Sequence, residues 1–420
     1  MIRPSIGIVR ELYSKWERRS PFTPNQIKNM VEKQGIQVTV QPSRNRVFPD
    51  SEYKKAGAKI QNDLSDCGTI FGVKQVPVNN LIENKTYAFF SHTIKAQEEN
   101  MELLDNIQTK QIRLLDYECI EKNGKRVVAF GEYAGIAGMI DSFRGLGQRL
   151  LQDGFSTPFL NVPSAYMCQS LDHALEIIDN IGHEIATKGL HPDIPPLTFT
   201  FTGTGNVSKG AQRVFRHLPH EFVPPSQLGA IMKSNHKVFG CVAKIEDTVC
   251  RKKDSGFNKN EYNEFPERYK SKFFATIGRQ SNVIVNCSYW DERFPRIVSS
   301  KEVNEEYVDN HKVQMISDLS CDVDGSIELL KKSTDIDDPF FTDRKSNILM
   351  LGVDILPSEL PRESSHHFGE VLLPYVKQLA LDLPTCSLPK ELRNACITTR
   401  GGRLGYRFRY IKELRERKLC

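Results

Sequence analysis

Residues 197–211 read LTFTFTGTGNVSKGA. The run from Thr198 to Thr202 is β-branched and aromatic, the composition of a buried strand. It breaks at Gly203-Thr204-Gly205. Asn206 to His217 then reads as a helix with Val207, Ala211, Val214 and Phe215 on one face. Strand, glycine turn and helix, in that order, begin a phosphate-binding fold. The first glycine permits the tight turn and the second lets the backbone approach a pyrophosphate. The first N–H groups of the helix point at the anion. Gly203, Thr204, Gly205, Asn206, Val207 and Ser208 form the candidate cofactor-binding run. The usual third glycine is missing: Ser208 stands there, with Gly210-Ala211 just beyond. An ordinary strand–helix turn shows the same local pattern, so the reading depends on the rest of the chain.

Upstream, strands and helices alternate. Ser5–Val9 reads as a strand. Thr23-Pro24 reads as a helix cap with proline at the first helical position, and Gly35 closes that helix. Gln37–Val40, Thr69–Val73, Thr86–Ser91 and Ile112–Asp116 read as further strands. Ser51–Ala56 is a helical turn and Ala96–Ile107 a helix. Such alternation implies a parallel sheet with helices on its faces. Small residues from Gly131 to Gly138, continuing through Phe143 and Leu150, read as a long helix that leaves this first domain. A core helix would look the same.

Downstream of the opening stretch, Glu221–Val223, Val238–Lys244, Ser281–Cys287, Val313–Leu319 and Ile348–Val353 read as strands. Arg251–Phe265 is polar and reads as a surface excursion. Glu363–Leu379 reads as a second linking helix, kinked at Pro374. Lys390–Lys418 returns to the first domain with a solvated basic helix at its end. The expected architecture is α/β: two Rossmann-like domains with parallel sheets, joined by long linking helices around a cleft. The expected division is 1–140 plus 383–420 for a substrate domain, and 141–382 for a nucleotide-binding domain that includes the linking helices.

Composition fits this. The chain has 420 residues, 39% hydrophobic and 26% charged, proportions of a soluble globular protein with room for two cores. A net charge of +5 with dispersed lysines and arginines gives no case for a nucleic-acid partner. No apolar run is long enough to span a membrane. The N-terminus, MIRPSIGIVREL, enters a strand almost at once and shows no targeting segment, so cytoplasm or mitochondrial matrix is expected. Ten scattered cysteines, with no C-x-x-C pair and no histidines at ligand spacing, read as reduced thiols. No metal site is expected.

Lys74, His92 and Glu118 each follow an expected parallel strand. In open α/β sheets that edge binds ligands, and a base, an acid and a carboxylate gathered there can move protons. Arg18, Arg19, Lys95 and Arg126 add positive charge suited to a substrate with several carboxylates. Taken singly, a lysine at a strand end is usually solvated and a histidine is often a structural hydrogen-bonder. Their joint placement favours a site.

The runs WERRSPFTP (16–24), GVKQVP (72–77), YAFFSHTIKAQ (87–97), LLDYE (114–118), RVVAFGEYAGIAGMI (126–140), PLTFTFTGTGNVSKGAQ (196–212), SYWDERFPRIV (288–298), SDLSCDVDGSIE (317–328) and DILPSELPRESSHHFG (354–369) carry a resemblance over nearly the whole length. The chain resembles the lysine–2-oxoglutarate reductases. These are the lysine-forming saccharopine dehydrogenases that form the N-terminal half of animal and plant aminoadipic semialdehyde synthase. More distantly it is similar to alanine dehydrogenase and the transhydrogenase α subunit.

The resemblance implies that L-lysine condenses with 2-oxoglutarate and that NADPH reduces the imine to saccharopine, the first step of lysine degradation. It implies Lys74 as general base and His92 as acid. Arg19, Lys95 and Gln97 would hold substrate carboxylates. Arg126 and Phe130 would line the pocket, and Glu118 would tune the cations. Asp318 and Ser320 would lie near the nicotinamide, although Asp318 equally reads as a helix cap. Asn286 and Cys287 are weaker candidates there.

An NAD site usually carries an acid about 20 residues past the first glycine. Here that region is Phe222-Val223-Pro224-Pro225-Ser226-Gln227, without an acid, so NADP+/NADPH is expected. Ser226 and Gln227 would bond the 2′-phosphate, with Arg213 a remote substitute for the missing arginine. The animal family has a second, saccharopine-oxidising half, so the chain reads as a monofunctional reductase or a fragment. A homo-oligomer and an association with a saccharopine-oxidising enzyme both stay open. The alternatives are an alanine-dehydrogenase-like enzyme and a non-catalytic nucleotide-binding module.

Overall fold

In the computed structural model, which describes residues 4–308 and 310–418, the chain divides into two units. Unit 1 takes the chain up to Phe130 and again from Pro361 onward; unit 2 is Gly131–Leu360. The boundaries fall at 130/131 and 360/361, against the 140/141 and 382/383 read from the sequence. The helix Gly131–Gln152 groups with unit 2 and the helix Pro361–Ala380, which contains Pro374, with unit 1.

Unit 1 is built on six parallel strands: β1 (Ser5–Ile8), β2 (Gln37–Val40), β3 (Lys59–Ile60), β4 (Thr69–Phe71), β5 (Thr86–Phe89) and β6 (Arg113–Asp116). Their order is β3-β2-β1-β4-β5-β6. This is the doubly wound order, and it reverses direction between β1 and β4. β4, β5 and β6 are buried at every position, as strands covered on both faces must be. The helix Pro24–Gln34 starts on a reciprocal capping box. The Thr23 hydroxyl accepts from the Gln26 N–H, and the Gln26 side chain accepts from the Thr23 N–H at 2.8 Å. Gly35, at φ 63°, ends it. Of the helix expected over Ala96–Ile107, Ala96 is left-handed at φ 50°, Glu98–Asn100 is a 3-10 turn, and the α-helix covers Met101–Thr109. The returning C-terminal segment is tied in by buried Arg113, whose guanidinium donates to Asp382 Oδ1 at 2.8 Å and to the Leu383 carbonyl at 2.6 Å.

Unit 2 has seven strands: β7 (Thr198–Thr202), β8 (His220–Phe222), β9 (Val238–Ala243), β10 (Val283–Asn286), β11 (Met315–Asp318), β12 (Phe340–Thr342) and β13 (Leu349–Leu351). Their order is β8-β9-β7-β10-β11-β13-β12. All neighbours are parallel except β12 and β13. The opening stretch forms central strand β7, buried at all five positions, followed by the helix Asn206–Phe215. The sheet order corrects one expectation. The strand beside β7 is β9, and β8, which precedes Ser226, is the outer edge. The 249–271 region is not a loose excursion: Val249–Arg251 pairs antiparallel with Tyr269–Ser271 around buried Tyr262 and Tyr269. Among the described residues no helix is long and apolar enough to cross a membrane.

Candidate functional site

In unit 1, Lys74 stands past β4 at the point where the strand order reverses, and His92 and Glu118 follow β5 and β6 along the same edge. Glu11, three residues past β1, accepts the N–H of Val73 at 2.6 Å and of Lys74 at 3.1 Å. One carboxyl thus fixes the backbone that carries Lys74. Burial and the neighbouring Glu17 push the Glu11 carboxyl up to about 8. Lys74 is 7% exposed, and its ammonium lies 4.9 Å from the centre of the Tyr13 ring. A cleft of about 640 Å³ opens beside Glu11, with Arg10, Lys15 and Arg44 in its walls.

His92 follows β5 and is held at φ 56°, the left-handed region that side chains other than glycine rarely adopt. The residue before it is clamped. The Ser91 N–H donates to Asp116 Oδ2 at 2.9 Å, the Ser91 hydroxyl donates to the same oxygen, and Ser91 and Thr93 share a 2.8 Å hydroxyl bond. Asp116 is fully buried, and burial together with Glu118 pushes it up to about 6. Two acids that the sequence reading did not single out therefore hold backbone at the site: Glu11 that of Lys74, and Asp116 that of Ser91, the residue before His92. The cue available was position: each sits at or just past a strand end.

The substrate-binding candidates are placed as follows. Arg19 is buried and pairs with Glu17 through two bonds of 2.8 and 2.6 Å, with its guanidinium 4.3 Å over the Phe130 ring. Phe130 stacks on Phe368 at 4.4 Å. Glu118 pairs with Arg126 at 3.4 Å, and Arg126 is 41% exposed. Lys95 and Gln97 are exposed on the 3-10 turns after His92. The fold brings Arg19, Glu17 and Phe130 together and pairs Glu118 with Arg126, while Lys95 and Gln97 stand on the surface of the same edge.

In unit 2 the glycine turn also lies at the point of reversal, between β7 and β10. Gly203 has φ +73°, and its N–H donates to the Ala243 carbonyl at 2.8 Å. A Cβ on Gly205 would meet nothing within 4 Å, and no side chain caps the helix that follows. Thr204, Gly205 and Asn206 are exposed. An open turn leading into free helix N–H groups is what a pyrophosphate needs. The turn thus fits a dinucleotide. Val207 is half-buried and Ser208 is buried, its hydroxyl accepting from Gln212 Nε2 at 2.9 Å. Gly210 replaces the missing glycine in another way. Its Cβ would lie 2.1 Å from the Glu132 carbonyl, while a Cβ on Gly135 would lie 2.0 Å from the Val207 carbonyl. These glycines let helices Gly131–Gln152 and Asn206–Phe215 cross backbone to backbone.

Asp318 ends β11 and is fully buried. Its Oδ1 accepts from the Ser320 hydroxyl at 2.5 Å, the Ser320 N–H at 3.1 Å and Asn286 Nδ2 at 2.9 Å. It caps the turn. Its Oδ2 lies buried with no hydrogen-bond partner among the described residues, and burial pushes the carboxyl up to about 6. Ser226 is exposed in the turn Pro225–Ala230 beyond edge strand β8. The Leu228 side chain in that turn is buried, and a Cβ on Gly229 would meet Gln280, which precedes β10. Gly229 thus lies beside the N-terminal end of β10, and Ser226 follows the outer strand β8 rather than a strand that pairs with β7.

The chain matches the family descriptions "Alanine dehydrogenase/PNT, N-terminal domain" over residues 7–137 and "Alanine dehydrogenase/PNT, C-terminal domain" over 251–405. It is 42% identical over 442 aligned residues to an alpha-aminoadipic semialdehyde synthase of Arabidopsis thaliana, covering 98% of this chain and 41% of that protein. The chain thus spans less than half the length of this relative. It is 26% identical to a "Saccharopine dehydrogenase [NAD(+), L-lysine-forming]" of Schizosaccharomyces pombe, covering 96% of this chain and 98% of that one. The fold matches that of an L-alanine dehydrogenase with a TM-score of 0.63 at 16% identity, covering 98% of this chain and 99% of the other.

Proposed function

The chain belongs to the alanine dehydrogenase/PNT family, and from that premise we propose that it condenses L-lysine with 2-oxoglutarate and reduces the resulting imine to saccharopine. The observation that carries this reading is the Glu11–Lys74 clamp: a buried lysine with a fixed backbone, at the point where the unit 1 sheet reverses. The names of the relatives support it: one is a lysine-forming saccharopine dehydrogenase matched along nearly its full length, and another an alpha-aminoadipic semialdehyde synthase.

In this reading the ε-amine of the substrate attacks the 2-oxo carbon, water leaves, and the C=N bond is reduced. Lys74 takes the proton from the attacking ammonium, which must be neutral to act as a nucleophile. His92 protonates the developing oxygen so that it leaves as water. Its left-handed backbone, anchored through Ser91 to Asp116, fixes where the ring begins. Arg19, Arg126, Lys95 and Gln97 take the substrate carboxylates, with Arg19 set in place by Glu17 and Phe130. A nicotinamide nucleotide, NADPH in this proposal, supplies the hydride when bound. The Gly203–Ser208 turn would hold its pyrophosphate, and Asp318 with Ser320 would stand near its nicotinamide. Lysine, 2-oxoglutarate and saccharopine are the small-molecule partners.

NADPH oxidation followed with lysine and 2-oxoglutarate together tests the proposal. The expected rate far exceeds that with either substrate alone. A rate equal to the single-substrate backgrounds, or activity with pyruvate and ammonia instead, overturns it.

A further inference from the structure

The order of the unit 2 sheet changes which residue reads the adenosine half of the nucleotide. In a doubly wound sheet, the residue that ends the strand beside the glycine strand faces the adenosine ribose. An acid there bonds the ribose hydroxyls, and a cation there accommodates a 2′-phosphate. The usual interval of about 20 residues leads to β8, but β8 is not that strand. It pairs only with β9, and its last residue, Phe222, stands opposite Gly240. It stops three rungs, about 10 Å, short of Ala243, and lies about 10 Å sideways from β7. In the turn that follows it, Gly229 lies beside Gln280, which precedes β10.

The strand beside β7 is β9, with Ala243 opposite Thr202. The Gly203 N–H closes the ladder onto the Ala243 carbonyl at 2.8 Å. Lys244 is the next residue, level with the first glycine of the turn, and its side chain is exposed. Two acids follow closely. Asp247 is turned onto the backbone: its Oδ2 accepts the Lys244 N–H at 2.9 Å, and its own N–H donates to the Lys244 carbonyl at 2.9 Å. Glu246 is exposed on the next turn. The cation, not an acid, is therefore first past the strand end.

We infer that Lys244 contacts the 2′-phosphate of the bound nucleotide and sets a preference for NADPH over NADH. This rests on the proposal that the Gly203–Ser208 turn holds a nicotinamide dinucleotide. A lysine ammonium is a compact charge that donates to phosphate oxygens in charge-assisted bonds. NADH has a hydroxyl in that place and gains far less from it.

Fluorescence titration of the full chain with NADPH and with NADH is the test, on the natural protein and on Lys244→Ala, Lys244→Arg and Lys244→Glu. The natural protein is expected to bind NADPH more tightly. Lys244→Ala is expected to weaken NADPH about 10- to 100-fold, the worth of one or two charge-assisted bonds, with NADH changed less than about twofold. Lys244→Arg should restore most of the loss, and Lys244→Glu should reverse the preference. Equal affinity of the natural protein for both nucleotides overturns the inference, as does an equal loss of both in Lys244→Ala. If the natural protein binds neither nucleotide, the dinucleotide reading of the turn fails and takes the inference with it. Selective NADPH binding lost in Lys244→Ala upholds the inference even if lysine and 2-oxoglutarate are not turned over.

Discussion

At the scale of single residues, the side chains proposed to do chemistry are held by others acting on their backbone. Glu11 holds Lys74, and Asp116 holds Ser91 ahead of His92. Lys74→Met should lower turnover about 100- to 10,000-fold, the usual range for a lost general base. NADPH binding, measured by fluorescence, should stay as it was, because the glycine turn belongs to unit 2. A second prediction concerns Asp318, raised by burial from 3.8 to about 6. The folded chain holds that proton more tightly than the unfolded one. The contribution to stability is thus complete below about pH 4 and lost as the pH rises through 6. That difference between folded and unfolded chain corresponds to roughly 3 kcal/mol. Thermal unfolding between pH 4 and 7 should accordingly fall less steeply in Asp318→Asn than in the natural protein. Lys74 and His92 were legible because strand ends are legible. Glu11 and Asp116 share that position, but the role of a carboxylate that accepts backbone N–H groups leaves no mark in composition or periodicity.

Among elements, two classes of glycine separate. Gly135 and Gly210 are pressed against backbone carbonyls at 2.0 and 2.1 Å from where a Cβ would stand. Neither carbonyl can yield as a flexible side chain does. Gly210→Ala should destabilise unit 2 by about 2–3 kcal/mol, as overpacking does, read as a lower denaturation midpoint. Gly205→Ala meets nothing within 4 Å and has φ −74°, so the fold should keep its midpoint. NADPH binding should still weaken at least about tenfold, because the new methyl stands where the pyrophosphate approaches. Strands such as Thr198–Thr202 and the cap at Thr23 were legible because their signals are local. The helix Leu171–Lys188, with its Ser170 cap and a buried face of Ala174, Ile178, Ile181 and Ile185, carries the same local signals and is absent from the sequence reading. The placement of β9 beside β7 was not legible. Pairing between strands is non-local, and a count of residues from the glycines leads to the wrong strand. β3, with two residues, is too short to carry an alternation.

For the whole molecule, one chain makes two units, each on its own sheet, and the first unit is completed by a segment that returns after residue 360. In each sheet the strand order switches sides at a central pair, β1 and β4 in unit 1 and β7 and β10 in unit 2. Unit 1 places Lys74 at its reversal, and unit 2 places the glycine turn. The alternation of strand and helix made this division legible. The positions of its boundaries were not, because a long helix with small residues reads the same whether it links two domains or packs within one. The central claim is that this chain joins two carbon skeletons through a nitrogen. The direct measurement is mass spectrometry of the product formed from isotopically labelled lysine, 2-oxoglutarate and NADPH. The account predicts one product that carries both skeletons and the lysine label, formed as NADPH is consumed. Unchanged lysine alongside glutamate or 2-hydroxyglutarate, with no joined product, would contradict it.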